Sequence, residues 1–134
     1  MAEFDWPVRV YYEDTDSGGV VYHSNYLKFM ERARTEWLRE LGFEQDELAK
    51  QHQCIFAVHS MQINFRKPAR FNDALAVKTI LVKVSGASML FEQKIFRENE
   101  LLCEATVKIA CIDTTEFRPR SIPSFLMTGM QGEH

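Results

Sequence analysis

The sequence predicts an α+β fold: a strand, one long amphipathic helix, then four long strands forming an antiparallel sheet. Three observations carry this. Apolar residues recur at spacings of three and four between Tyr26 and Leu41; the period switches to two at Cys54 and holds to Ile112; and short polar turns separate the later strands. The chain has 134 residues, 46% of them hydrophobic and 26% charged, which suits one domain with its own core. Sixteen basic against nineteen acidic residues give a net charge of −3, which speaks against a generic nucleic-acid binder.

Trp6 to Glu13 reads as the first strand, with Val8, Val10 and Tyr12 alternating against Arg9, Tyr11 and Glu13. The polar stretch Asp14-Thr15-Asp16-Ser17-Gly18-Gly19 then reads as a loop. The long helix is expected over Asn25–Leu41, capped by Ser24 or Asn25. Its apolar stripe is Tyr26, Phe29, Met30, Ala33, Trp37 and Leu41, with Glu31, Arg32, Arg34, Glu36, Arg39 and Glu40 around it, and Gly42 stops it. A short polar helix is expected over Gln45–Gln51. Strands follow at Ile55–Phe65, Leu75–Val84, Met89–Arg97 and Leu101–Ile112, the last three joined by turns at Ser85-Gly86 and Glu98-Asn99-Glu100 into a meander. Beyond residue 124 the tail reads as frayed. One helix covers only one face of such a sheet, so a homo-oligomer is expected.

No apolar run approaches the ~20 residues of a membrane helix, and the acidic N-terminus does not resemble a signal peptide, so a cytoplasmic protein is expected. Three cysteines without a CxxC pair suggest reduced core thiols, with Cys103 and Cys111 on one strand face. Phosphate-loop, dinucleotide and nucleophile-elbow motifs are missing. The acidic loop fits a calcium loop at only some positions and lacks the bidentate glutamate, and no zinc spacing is present, so no metal and no cofactor are expected. His59 sits mid-strand on the parity of Met61 and Ile63 and reads as a buried or interface histidine. What remains is Asp16, just ahead of Gly18-Gly19 and a helix start near His23. A carboxylate opposite free helix N–H groups is an arrangement suited to acyl transfer.

Arg9-Val10, Thr15-Asp16, Gly19-Val20-Val21, His23, Tyr26 and Phe29, with Glu-Arg-Ala-Arg-Thr-Glu at 31–36, resemble the 4-hydroxybenzoyl-CoA thioesterase signature, and the stretch from Trp6 to His23 resembles its YbgC branch, the acyl-CoA thioesterases associated with the Tol-Pal gene cluster. The resemblance is strongest over 6–42 and extends through Lys67-Pro68-Ala69-Arg70 to about residue 123. It implies a hotdog fold, a curled five-stranded antiparallel sheet around one central helix, whose dimers join edge to edge and often pair into tetramers with the active site at the dimer interface. It implies hydrolysis of acyl-CoA to a fatty acid and CoA. Asp16 matches the catalytic aspartate, as nucleophile or general base, and His23 the position whose backbone N–H polarises the thioester carbonyl. Gly19, Val20 and Val21 fall in the signature loop, and Tyr22 and Tyr26 are expected near the acyl pocket. CoA carries phosphates; Arg66, Lys67 and Arg70 are the expected cations, with Arg118 and Arg120 a second cluster. The branch's link to lipid metabolism implies acyl carrier protein as a further partner. The competing readings are a hotdog dehydratase, whose usual histidine motifs are missing, and a non-catalytic acyl-thioester or carrier-protein binding module.

Overall fold

The computed structural model describes residues 3–132. Strand β1 spans Glu3–Arg9, helix α1 His23–Glu40, helix α2 Gln45–His52, strand β2 Cys54–Phe65, β3 Ala74–Ser85, β4 Ser88–Arg97, β5 Glu100–Asp113, the two-residue β6 Arg118–Pro119, and helix α3 Ser124–Gly132. The sheet order is β1-β3-β4-β5-β2, all antiparallel, with β6 beside the end of β5. The expected meander is β3-β4-β5. The sequence did not specify the rest of the order, in which β2 crosses to β5 and β1 adds to β3. The sheet curls around α1 in the hotdog arrangement.

Period-two alternation decides which side faces the helix. Leu75, Val77, Thr79 and Leu81 of β3, Phe91, Gln93 and Ile95 of β4, and Cys103, Ala105, Val107, Ile109 and Cys111 of β5 are buried. They pack against Tyr26, Phe29, Met30, Ala33 and Trp37 of α1, with Trp37 edge-on to Phe91 at 5.3 Å between centroids. The opposite face carries Lys78, Glu92, Lys94, Glu104, Thr106 and Lys108. Those charges suit water, so the uncovered face does not by itself call for a second subunit.

Four expectations are corrected. The first strand ends at Arg9 rather than running to Glu13: Tyr12–Asp14 form a single 3-10 turn because Asp14 Oδ2 accepts the Tyr11 N–H at 2.8 Å, and Tyr12 is 77% exposed rather than core. Helix α1 starts two residues early, with Tyr22 as an N-cap that gives no side-chain hydrogen bond; Asn25 lies inside the first turn. Arg34 is not on the solvent face. It is buried, and its Nη1 donates to Gln93 Oε1 at 2.8 Å, while Gln93 Nε2 donates to Met30 O and Thr79 Oγ1. Finally, the tail beyond 124 is not frayed. Ile122, Leu126 and Met130, four residues apart, are buried, and Phe125 packs against Phe43 and His52. Helix α3 seats so closely that a Cβ on Gly129 would lie 2.6 Å from Phe43 Cζ. The last two residues of the tail, 133 and 134, lie outside the described ones.

Candidate active site

The loop of Asp16 is built by its own hydrogen bonds. Asp16 Oδ1 accepts the Gly18 N–H at 2.8 Å, the Gly19 N–H reaches Asp16 O, and the Asp16 N–H reaches Val20 O. Gly19 has φ +80°, a conformation that glycine adopts without strain. Among the described residues Asp16 Oδ2 accepts no hydrogen bond, and the side chain is exposed. One carboxylate oxygen is thus held and the other is open.

A second set of bonds ties this loop to the start of α1. The Tyr22 N–H and Asn25 Nδ2 both donate to Asp14 O, at 3.0 and 2.8 Å, and Thr15 bridges to Val21. Asp14 is therefore a turn residue on both sides, through its carboxylate and its carbonyl. A third set fixes the segment after β2 to the same point. The Val21 N–H donates to Ala69 O at 2.8 Å, the Ala69 N–H to the Tyr26 hydroxyl at 3.0 Å, and Val20 bridges to Arg70. Asn25 and Ala69 are the positioning residues that sequence reasoning missed. Asn25 offered a signal, since a buried amide in a first helical turn needs a partner. Ala69 offered none, because its work is done by its backbone.

The N–H groups of His23 and Ser24 find no protein acceptor among the described residues, as befits the first turn of a helix, where the aligned peptide dipoles leave partial positive charge. The His23 ring stacks on Tyr22 at 4.7 Å and leans on Phe65 at 5.8 Å. Tyr26 is buried with its hydroxyl engaged. Burial raises its pKa, opposed by the Ala69 hydrogen bond, so it stays a neutral phenol at physiological pH. A cavity of about 230 Å³ opens between Val21, His23, Tyr26, Phe65, Arg66, Lys67 and Pro68. It brings Val21, Tyr26, Arg66 and Lys67 together with His23, whereas Asp16, Gly19, Val20, Tyr22 and Arg70 stand outside its lining.

The expected cations are not equivalent. Arg66 is ion-paired to Glu104, and Lys67 Nζ lies 2.7 Å from Glu100. Arg70 forms no ion pair among the described residues. In the second cluster Arg118 pairs with Glu116 at the surface and Arg120 Nη1 donates to His52 O. His59 is not buried within the chain; it is the exposed extra residue of a β-bulge between Val58 and Ser60, on strand β2. No group of three or more His, Cys, Asp or Glu side chains among the described residues could hold a metal, and none of the described helices is long and apolar enough to cross a membrane.

Residues 10–129 match the thioesterase-like superfamily. The chain is 49% identical over 120 residues to an acyl-CoA thioesterase YbgC of Haemophilus influenzae, covering 90% of this chain and 88% of that one. It is 46% identical over 125 residues to an acyl-CoA thioester hydrolase YbgC of Escherichia coli, covering 92% of each. A probable thioesterase from Bartonella henselae superposes with a TM-score of 0.87 at 42% identity, over 91% of this chain and all of that one. The family match over residues 10–129, identity near one half over almost the whole length and the close superposition place this chain in the thioesterase-like superfamily, as a member of its YbgC branch of hotdog-fold enzymes.

Proposed function

We propose that the protein hydrolyses acyl-CoA thioesters, consuming water and releasing a carboxylic acid and the CoA thiol, with Asp16 as the reacting carboxylate and the α1 N-terminus as the oxyanion site. The observation that carries this is the tether between the two: the Asp14–Asn25 and Thr15–Val21 contacts hold the Asp16 loop at a helix start whose first N–H groups are free among the described residues. The open Oδ2 either attacks the carbonyl carbon, breaking the C–S bond and expelling the CoA thiolate to leave a mixed anhydride that water then cleaves, or takes a proton from a water that attacks the same carbon and expels the thiolate directly. In both routes negative charge grows on the thioester oxygen, and the His23 N–H is the donor suited to it. The His23 side chain, stacked on Tyr22 and tilted against Phe65, shapes the entrance. Val21 and Tyr26 wall the acyl side, and Gly19 and Val20 hold the loop. No metal or cofactor enters this scheme, so turnover is expected to survive exhaustive EDTA dialysis. The names of the YbgC relatives support the substrate class.

The competing reading is a module that binds acyl thioesters or acyl carrier protein without cleaving them. Incubation with a panel of acyl-CoAs and detection of free thiol separates the two: release above the uncatalysed rate supports hydrolysis, and saturable binding without thiol refutes it.

We further propose that the active form is a homo-oligomer joined through β2, as a dimer and then a pair of dimers. The sheet has two edges. That of β1 carries Glu3, Asp5, Pro7 and Arg9, residues that discourage strand addition. The β2 edge, Cys-Ile-Phe-Ala-Val-His-Ser-Met-Gln-Ile-Asn-Phe, holds no Asp, Glu, Lys, Arg or Pro over 12 residues, and Val58 is 51% exposed. A cavity of about 260 Å³ between α1 and β2, lined by Leu38, Phe56, Val58, Phe91 and Ile109 among others, lies along the same edge. A second copy covers both.

A further inference from the structure

Three exposed aromatic side chains cluster on the two segments that flank the Asp16 loop and its partner Arg70, and the proposed chemistry uses none of them. Tyr11 is 62%, Tyr12 77% and Phe71 44% exposed, and Tyr12 stacks on Phe71 with centroids 4.1 Å apart and planes 16° from parallel. They line a shallow groove with Arg9, Glu13 and Asn72. The backbone beneath is fixed: the Val10 N–H donates to Asp73 O, the Asn72 N–H to Val10 O, Thr15 Oγ1 to Tyr12 O, and Arg9 Nη1 to Asn72 O. Arg9 lines the groove and Arg70, next in the chain to Phe71, lies just outside its lining; neither forms a contact ion pair among the described residues, unlike Arg66, Lys67 and Arg97, although Arg70 is close enough to help hold the Asp73 carboxyl low. Exposed, stacked rings on a fixed backbone are apolar surface that a ligand can cover, and the guanidinium groups beside them have no contacting carboxylate to compete with an anion.

We propose that this groove binds the nucleotide end of CoA, with the adenine ring stacked on the Tyr12–Phe71 platform, the phosphates at Arg9 and Arg70, and the adenine amino group donating to Glu13. The inference rests on the reading of the substrate as a CoA thioester. Charge complementarity chooses this occupant. A protein partner would meet the aromatic faces, but only a ligand that is a flat ring and a polyanion at once uses the rings and both cations. The placement also fits the reach. Tyr12 is four residues from Asp16, so at most about 14 Å of chain separates them, and Arg70 bridges directly to Val20 of the Asp16 loop. The pantetheine arm would run from the groove to the thioester across that bridge.

The test measures binding, so that it does not depend on turnover. Calorimetry with CoA, 3′,5′-ADP and pantetheine is run on the wild type, on Tyr12→Ala and on the Tyr12→Ala/Phe71→Ala pair; Tyr12→Leu keeps bulk without the ring. Tyr12 is largely exposed, so its single variants should fold. Loss of a base-stacking platform should weaken CoA and 3′,5′-ADP by about 5- to 100-fold, with pantetheine affected far less. Arg9→Gln/Arg70→Gln should weaken both nucleotides and flatten the salt dependence of their Kd. In kinetics, the preference for an acyl-CoA over the matching acyl-pantetheine, as a ratio of kcat/KM, should collapse in the Tyr12 variants. Equal CoA affinity in wild type and variants overturns the proposal. So does a change of oligomeric state in light scattering, which would assign the aromatics to a subunit contact. Reduced CoA affinity in the variants of a protein that cleaves no acyl-CoA would uphold the groove while refuting the hydrolase reading.

Discussion

Replacing Asp16 by Asn separates its two duties. The Oδ1 atom is an anchor, accepting the Gly18 N–H at 2.8 Å, and the unengaged Oδ2 is the proposed reacting oxygen. The Asp16→Asn variant keeps the anchor, because an amide oxygen accepts the same bond, while losing nucleophilicity and basicity. Asp16→Ala loses both. A local hydrogen bond at an exposed loop is worth about 1 kcal/mol. At about 2.1 cal/mol/K per residue the unfolding entropy of a chain this size is about 0.28 kcal/mol/K, so Asp16→Ala should lower Tm by roughly 3–4 °C. Asp16→Asn should stay within about 1–2 °C of wild type. Thiol release should fall at least about a hundredfold in both, the lower end of what losing a general base removes, or about 2.7 kcal/mol of barrier. The assay is thiol release from an acyl-CoA, paired with a thermal melt of the same samples. Near-normal turnover by pure Asp16→Asn would remove Asp16 from the chemistry. An Asn variant as unstable as the Ala variant would show that Oδ1 is not the anchor.

Three further outcomes are expected. Val58→Lys puts a charge on the bare β2 edge, and should shift the particle toward monomer in analytical ultracentrifugation with a parallel loss of activity; an unchanged sedimentation coefficient would place the interface elsewhere. Gln93→Leu strands the buried Arg34 guanidinium and the Thr79 hydroxyl, which should cost about 3 kcal/mol, or about 10 °C in Tm by the same entropy; a loss under about 3 °C would mean that the network re-forms through water. Lys67 and Arg97 hold the Glu100 carboxyl at about 2 against an ordinary 4.5; burial pushes Asp73 up, but the Arg70 N–H and Arg97 outweigh it and keep it low. Both are depressed in the folded state, so their stabilisation is present above about pH 4.5 and is lost as pH falls toward 2. Arg97→Met should therefore lower the urea midpoint at about pH 7 and match wild type near pH 2, and a pH-independent difference would assign the effect to packing.

How much of this was legible in the sequence follows from where each piece of information resides. Helix α1 and the meander β3-β4-β5 were readable because their signals are local: a 3.6-residue stripe, a strict alternation, and turns of two or three residues. Strand order beyond the meander was not, because β2 is separated from β5 by two strands in the chain and nothing in Cys54–Phe65 names its partner. Asp16 stood out as a candidate through the signature and its glycines, whereas the hydrogen bonds around its loop did not, because they run through the carbonyls of Asp14 and Ala69, which every residue possesses. Tyr12 shows the limit most plainly. Parity with Val8 and Val10 put it in the core, but a single side-chain bond from the Tyr11 N–H to Asp14 ends the strand early and turns the ring outward onto Phe71. Alternation holds only while the strand lasts, and a carboxylate three residues ahead was enough to end it. In the sequence Arg66, Lys67 and Arg70 stand as one cluster of expected CoA cations. Folding pairs the first two with Glu104 and Glu100, residues more than thirty positions away, and leaves Arg70 beside the aromatic groove. A residue type shows what a side chain can bind, but only the fold decides which of its partners is already in place.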